Sequence, residues 1–214
     1  MLQIQGISKS YGKQNVLQNF NLDIESGEII SVVGSSGSGK TALLRLISGL
    51  EMPDDGQITL KNEIVSSNNN FVRPEDRDCS LVFQDYALFP HLNVFENVGF
   101  GLGRKTKNRK VKIQDIIEMI DLKGHEKKYP NQLSGGQQQR VAIGRALAIN
   151  PSAILMDEPF SNLDFSLKSI LSNEVKKIIR STGTTTIMVT HDEREAERLS
   201  DECYLLENGK IKSI

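Results

Sequence analysis

The stretch from Gly34 to Thr41 constrains this chain more than any other. Its residues are Gly34, Ser35, Ser36, Gly37, Ser38, Gly39, Lys40 and Thr41, which fit the pattern G-x-x-x-x-G-K-[S/T]. The run 28–33 before it predicts a buried strand, and the run 42–47 after it predicts a helix. Backbone amides of such a loop and the positive end of the helix can hold polyphosphate. The flanking elements favour this interpretation over a flexible Gly/Ser turn, with Lys40 on phosphate oxygens and the Thr41 hydroxyl on Mg²⁺.

The composition indicates an ordinary globular protein. The 214 residues are 38% hydrophobic and carry a net charge of −1, so no electrostatic argument favours a nucleic-acid partner. No apolar run reaches the length of a membrane span, and the N-terminus lacks the basic and apolar regions of an export signal. Cys79 and Cys203 form no metal-spaced pair. We therefore expect a cytosolic protein with buried thiols.

The N-terminal region predicts an antiparallel sheet that precedes the phosphate loop. Apolar and polar residues alternate in 2–4 and again in 20–24, as in strands with one solvated face. Tyr11 lies in the turn region between these strands, where it could stack on an adenine ring or pack beneath the turn. These two interpretations are equally open. Further along, 66–70 predicts a polar loop that contributes nothing to a core.

Three later strand-like runs end in polar residues. Gln84 follows 79–83, Asp157 and Glu158 follow 153–156, and His191 follows 184–190. Open parallel sheets bind ligands at the carboxyl ends of their strands, so these residues and the phosphate loop are expected at one edge. Beside a phosphate loop, Asp157 can hold Mg²⁺ while Glu158 polarises an attacking water. Gln84 and His191 alone would be weak signals.

A second helix start follows Pro130. Leu133-Ser134-Gly135-Gly136-Gln137 opens a predicted helix that runs to about Asn150, with Ser134 as its N-cap. The two glycines leave the amides uncovered, so this is a second possible anion site. Either it is an ordinary capped N-terminus, or two ligand sites are shared between chains.

Two segments between these motifs have an unusual composition. The segment 85–103 is rich in aromatic and apolar residues, which pack internally or, if exposed, mark a protein partner. The segment 104–112 is a basic run, for which a solvated face is favoured over contact with lipid headgroups or RNA.

Together these residues resemble the ATPase subunit of an ABC transporter. The motifs stand in the order of that family: Gly34–Thr41, Gln84, Leu133–Gln137, Asp157-Glu158, Ser161–Asp164 and His191. The likeness covers essentially the whole chain. Its most specific part is 133–137, because most other phosphate-loop ATPases lack this run. In the family, that run binds the γ-phosphate of a nucleotide held by the opposite subunit, which would explain a second anion site.

The resemblance implies roles for the phosphate and metal ligands. Lys40 and Thr41 would hold the phosphates of ATP and Mg²⁺. Asp157 would support the same metal ion, and Gln84 would sense both the metal and the water.

The resemblance also implies roles in hydrolysis and dimerisation. Glu158 would be the general base, and His191 would position the γ-phosphate. Tyr11 would stack on adenine. Asp164 would cross the interface of a homodimer that forms with ATP, where Ser134, Gly135, Gly136 and Gln137 would bind nucleotide.

Within that family, the sequence resembles the ATPase subunits of importers. The segments 71–77 and 82–92 are similar to importers of iron(III), sulfate, polyamines and sugars, with a spacing most similar to the iron(III) group. Many of those subunits carry a further C-terminal regulatory domain, whereas this sequence ends at Ile214. The resemblance implies a peripheral subunit at the cytoplasmic face of the membrane. It would contact transmembrane permease subunits through about 85–103 and act with a solute-binding protein indirectly.

We expect an α/β fold with a mixed core sheet around the phosphate loop, an N-terminal antiparallel β-subdomain and a helical insertion subdomain. The single ABC ATPase domain would span 1–214, with 1–93 and 132–214 as core and β-subdomain and 94–131 as the helical part. One alternative is a soluble ABC ATPase acting on DNA or ribosomes, but no coiled-coil run separates the nucleotide motifs. Another is a nucleotide-binding regulator without hydrolysis, which Glu158 argues against.

Overall fold

The chain forms two β-sheets in the computed structural model. The structure describes residues 1–161, 163 and 165–214, and for 165–167 it describes the backbone alone. The first sheet is antiparallel. Its strands are β1 (Leu2–Tyr11), β2 (Gln14–Ile24), β4 (Asp55–Leu60), β5 (Glu63–Ser67) and β6 (Asn70–Phe71), in the spatial order β2-β1-β4-β5-β6. The expectation that this sheet precedes the phosphate loop is therefore only half right. Three of its strands follow the loop, because the chain returns and pairs β4 with β1.

The second sheet is mixed. Its strands are β3 (Ile29–Val33), β7 (Cys79–Val82), β8 (Ala153–Asp157), β9 (Thr185–Thr190), β10 (Glu202–Glu207) and β11 (Lys210–Ser213), in the spatial order β11-β10-β3-β9-β8-β7. The five strands from β10 to β7 are parallel, and β11 closes the edge as an antiparallel hairpin partner of β10. The predicted α/β fold with a mixed core sheet is confirmed.

Six α-helices surround these sheets in the described part of the chain. They are α1 (Lys40–Ser48), α2 (Val94–Val98), α3 (Arg109–Met119), α4 (Gly135–Leu147), α5 (Phe165–Thr182) and α6 (Glu193–Leu199). The helix expected to reach Asn150 ends at Leu147 instead, three residues before Asn150 adopts a positive φ of 53°. Within the described residues, none of the helices combines the length and apolar character that a bilayer span requires.

Alternate residues of the parallel strands enter two different cores. In β8, Ile154 and Met156 pack with α2, α3, α4 and α5, whereas Ala153 and Leu155 pack with α1 and the antiparallel sheet. A parallel sheet covered on both faces needs such continuously apolar strands. The sheet is therefore rigid, and its polar chemistry is confined to the strand ends.

Arg77 joins the end of α1 to the antiparallel sheet. Its side chain is only 4% exposed, and its guanidinium donates to the carbonyls of Leu46 and Ile47 at 2.8 Å each. These carbonyls lie at the C-terminus of α1, where the helix dipole favours a cation. Burial lowers the pKa of Arg77.

Arg77 also corrects the expectation for 66–70. The Ser66 hydroxyl is fully buried in β5 and accepts from Arg77 at 2.7 Å. The carbonyls of Val65 and Val72 accept from the same guanidinium at 2.9 Å each. Ser66 is therefore a core residue, since its hydroxyl has a buried partner that composition does not reveal.

We predict that Arg77→Met lowers the free energy of unfolding by about 3–5 kcal/mol, because five acceptors lose their donor while the apolar stem is kept. Urea denaturation measures this. Arg73→Met is the matched control, since Arg73 is exposed, and its effect should stay within about 0.5 kcal/mol. Equal small effects of both changes would contradict the role given to Arg77.

Candidate functional site

Four adjacent parallel strands bring the predicted site residues to one edge of the mixed sheet. In register, Val33 of β3 pairs with Thr190 of β9, Val189 of β9 with Asp157 of β8, and Met156 of β8 with Val82 of β7. The residues that follow these strand ends therefore share that edge. They are Gly34 after β3, His191 after β9, Glu158 after β8 and, two residues beyond the end of β7, Gln84.

The loop between β3 and α1 requires glycine at a specific position. Gly39 caps α1 with φ 108°, and a Cβ there would lie 2.7 Å from Val16 Cγ1. Positive φ and this close approach of β2 each exclude other residues. The loop thus folds tightly against the antiparallel sheet, with α1 starting at Lys40.

Lys40 binds the loop from which it emerges. Its Nζ donates to the Gly34 carbonyl at 2.7 Å and the Ser35 carbonyl at 3.0 Å. Burial lowers the pKa of Lys40, while Glu158 and Asp157 act in the opposite direction. The ammonium therefore lies at the centre of the loop, close to two carboxylates.

Thr41 and Asp157 provide neighbouring oxygen atoms. Thr41 Oγ1 donates to Asp157 Oδ1 at 3.3 Å. Burial and the nearby charge of Glu158 raise the pKa of Asp157, against the effect of the Thr41 hydrogen bond. A hydroxyl, a carboxylate and added phosphate oxygens are the donors that Mg²⁺ prefers, so these residues fit that ion.

Glu158 is held by both its backbone and its side chain. It adopts φ 42°, and its amide donates to the Val189 carbonyl at 2.9 Å. Its Oε2 lies 2.9 Å from His191 Nδ1. Ser161 donates from both its amide and its hydroxyl to the Glu158 carbonyl. Such a positive φ at a non-glycine residue, beside a carboxylate–imidazole contact, marks Glu158 as a candidate functional residue.

Tyr11 borders a cleft of about 490 Å³ at the phosphate loop. Its lining includes Tyr11, Gln14, Val16, Ser36, Gly37, Gly39, Lys40, Thr41, Ala42, Arg45 and Glu158. The Tyr11 ring is 46% exposed, which favours the stacking interpretation over packing beneath the turn.

Sequence reasoning missed Arg45, which lines the cleft, and Glu51, which contacts both Tyr11 and Arg45. The Tyr11 hydroxyl donates to Glu51 Oε2, and Arg45 Nη1 donates to Glu51 Oε1 at 3.0 Å. Burial and this carboxylate raise the pKa of Tyr11 to about 12. Arg45 follows Thr41 by four residues in α1, so helical spacing could have placed it on the same face. No local signal identifies Glu51.

The second helix start has the predicted cap. Ser134 Oγ accepts from the Gln137 amide at 3.3 Å, and Gln137 Oε1 accepts from the Ser134 amide at 3.0 Å. A Cβ at Gly136 would lie 2.7 Å from Leu171 Cδ1, so α4 approaches α5 closely there. Among the described residues that line the cleft, none comes from 133–137. Asp164 lies outside the described residues.

The aromatic segment 85–103 is divided between core and surface. Tyr86, Val94 and Val98 are buried, whereas Phe100 is 58% exposed and lies against Phe89 with ring centroids 4.1 Å apart. Arg145 donates to the carbonyls of Tyr86 and Ala87. Part of the segment therefore packs internally, as was the default expectation, and part of it is exposed, while its contact with a partner stays a prediction.

The parallel sheet, the loop that begins α1 and the carboxylates at the neighbouring strand end together define a phosphate-loop ATPase fold. The family model described as ABC transporter matches residues 17–161. The chain belongs to the ABC transporter family.

Relatives from several organisms share this family. The chain is 45% identical to the spermidine/putrescine import ATP-binding protein of Nitratidesulfovibrio vulgaris, over 100% of the chain and 58% of that protein. It is 41% identical to the Fe(3+) ions import ATP-binding protein of Pasteurella multocida, over 98% of the chain and 60% of that protein. The chain thus spans less than two thirds of the length of these two relatives.

A solved structure has the same fold. The dimeric post-hydrolysis state of the ATP-binding cassette MJ0796, bound to ADP and Pi, superposes with a TM-score of 0.83 at 32% identity. The match covers 100% of this chain and 98% of that one.

We predict that Lys40→Ala loosens the phosphate loop even without a ligand, because the Gly34 and Ser35 carbonyls lose their donor. Amide hydrogen exchange within 35–39 should accelerate roughly 10-fold, while exchange in β3 stays unchanged. Mass spectrometry of peptides measures this. Lys13→Ala, at an exposed lysine of the β1–β2 turn, is the control. Unchanged exchange in 35–39 would show that Lys40 does not hold the loop.

Proposed function

We propose that this chain binds ATP at the phosphate loop and hydrolyses it to power an importer whose pore is formed by other chains. The observation that carries the proposal is the Glu158 carboxylate, fixed at 2.9 Å from His191 and bordering the same cleft as Lys40. A carboxylate in this place can accept a proton from an attacking water. The names of the relatives, which are import ATP-binding proteins, support the same function.

The cleft supplies groups for each part of the nucleotide. The ring of Tyr11 stacks on the base, and the loop amides with Lys40 hold the phosphates. Thr41 and Asp157 would hold Mg²⁺, which would neutralise charge on the phosphate oxygens. Gln84, exposed beyond β7 at the same edge, completes the set near the metal and the water.

Lys40 has to exchange partners when phosphate enters. Its ammonium is bound to two loop carbonyls, and phosphate oxygens carry more negative charge than these acceptors. Because the ammonium is already buried beside the loop, binding requires little rearrangement of the backbone. The His191 imidazole lies 2.9 Å from the Glu158 carboxylate, which borders the same cleft.

The ATP site is shared between two copies of the chain in this proposal. The capped helix start at Ser134 does not border the cleft of its own chain, within the part that the structure describes. A partner copy would place Ser134, Gly135, Gly136 and Gln137 over the γ-phosphate, with Asp164 at the interface. The solved ATP-binding cassettes MJ0796 with this fold are dimeric, which supports such an arrangement.

The permease contact and the solute complete the proposal. The exposed side chains of 85–103, with Phe100 foremost, form the surface that meets the transmembrane subunits at the cytoplasmic face of the membrane. The solute-binding protein acts through those subunits. For the solute we propose iron(III), from the similarity of 71–92. Relatives are named for the import of polyamines, Fe(3+) and sulfate, so an uptake assay should compare these solutes.

We predict that Glu158→Gln binds ATP but hydrolyses it at least about 100-fold more slowly, since an amide cannot accept the proton of water. Phosphate release measures turnover, and fluorescence titration measures the affinity for ATP. Glu63→Gln, an exposed residue of β5, is the control and should behave as the unmodified chain.

Turnover of Glu158→Gln within about threefold of the unmodified chain would contradict the assignment of the base. An unmodified chain that binds ATP without any turnover would contradict the proposed function itself.

A further inference from the structure

An ion pair between a half-buried lysine and a buried glutamate lies outside the cleft. Lys168 Nζ of α5 is 2.9 Å from Glu195 Oε1 of α6, and the two side chains are 16% and 4% exposed. The proposed mechanism gives no role to either residue. The pair joins α5 to α6, and α6 begins two residues after His191.

The second oxygen of Glu195 reaches the backbone that carries His191. Thr190 Oγ1, at the last residue of β9, donates to Glu195 Oε2 at 2.8 Å. The same hydroxyl accepts from the Asp192 amide at 3.1 Å. The residues on both sides of His191 are thus attached, through one hydroxyl, to one buried carboxylate.

His191 transmits this constraint to Glu158. The backbone of 190–192 determines the position of the His191 side chain. His191 Nδ1 lies 2.9 Å from Glu158 Oε2. Asp192 then caps α6 by accepting from the Arg194 amide at 2.9 Å. The contacts run from Lys168 through Glu195 and Thr190 to the backbone on both sides of His191.

Stability alone does not account for a charged pair in this position. Replacing a buried ion pair by apolar side chains of similar volume is often neutral or stabilising, because the desolvation of two charges is avoided. A charged pair with a further hydrogen bond fixes orientation, which an apolar contact does not. The orientation that is fixed here is that of 190–192.

We propose that Lys168 and Glu195 are positioning residues that hold His191 against Glu158 for hydrolysis. This inference rests on the proposed function, since the imidazole is positioned for that reaction. Lys168 and Glu195 do not line the cleft, and they act through Thr190 and the backbone of His191. A displacement of a reacting group by about 1 Å can cost on the order of 100-fold in rate.

The test uses the full chain with an apolar double replacement, Lys168→Met with Glu195→Leu. This variant leaves no lone buried charge, so it should fold with a thermal midpoint no lower than that of the unmodified chain. Its kcat should fall about 10-fold or more, while its affinity for ATP is unchanged. Lys168→Arg should retain most of the activity, because the ion pair can re-form.

Lys176→Met is the matched control. Lys176 Nζ donates to the Arg198 carbonyl at 2.9 Å and so joins the same two helices further from the site. Its loss should leave kcat within about twofold, since it has no contact with 190–192. Thr190→Val, which removes only the hydroxyl between Glu195 and His191, should reproduce the loss of kcat even where the double replacement folds poorly.

The imidazole resonances of His191 give a readout that does not depend on turnover. The chain has only 3 histidines, so His191→Gln identifies its signals in a nitrogen-15 spectrum recorded without nucleotide. The double replacement and Thr190→Val should shift these signals, and Lys176→Met should not. In a His191→Ala background, the double replacement should lower kcat no further, because the two changes act through one group.

Three results would overturn the inference: unchanged His191 signals in both test variants, full kcat in Thr190→Val, or an equal loss of kcat in Lys176→Met. An unmodified chain without ATP hydrolysis would overturn the proposed function alone. The imidazole spectra would still decide whether Lys168 and Glu195 position His191.

Discussion

The parallel register of β3, β9, β8 and β7 is the constraint on which the site depends. The central strands β3, β9 and β8 are buried on both faces, so they offer polar groups to a ligand only where they end. The ends lie side by side, and the Glu158 amide extends the ladder by donating to the Val189 carbonyl at 2.9 Å. A slip of one residue in any strand would reverse its faces and withdraw its terminal residue from the site.

Helix α1 is held by a cation at each end. Lys40 at its first residue binds back onto the phosphate loop, and Arg77 from another part of the chain binds the carbonyls at its last turn. Both side chains are buried, and burial lowers the pKa of each. The helix whose N-terminus we propose as the phosphate site is therefore already fixed against the antiparallel sheet without a ligand.

The positions of the candidate site residues that follow strand ends could be predicted from the sequence. The phosphate loop, the pair Asp157-Glu158 and His191 each follow a strand-like run, and the α/β fold follows from the same runs. The cap at Ser134 was equally predictable, because its partner Gln137 is three residues away. In each of these cases the signal is local.

The features that sequence reasoning missed are contacts between distant parts of the chain. Arg77 meets Leu46 across 31 positions, and Tyr11 meets Glu51 across 40. The return of β4 to pair with β1 is of the same kind. Such partners are chosen by tertiary packing, which neither composition nor periodicity encodes. The proposed sharing of the ATP site goes one step further, because it depends on a second chain.

Sedimentation of mixed variants with labelled ATP tests that shared site most directly. In a Glu158→Gln background, which should trap bound ATP, one chain carries Lys40→Ala and the other Ser134→Arg. Neither alone can form a complete site, but a heterodimer combines Lys40 of the second chain with Ser134 of the first. The account predicts an ATP-dependent dimer in the mixture and not in either variant alone. Dimerisation of Ser134→Arg by itself, or no gain in the mixture, would contradict it.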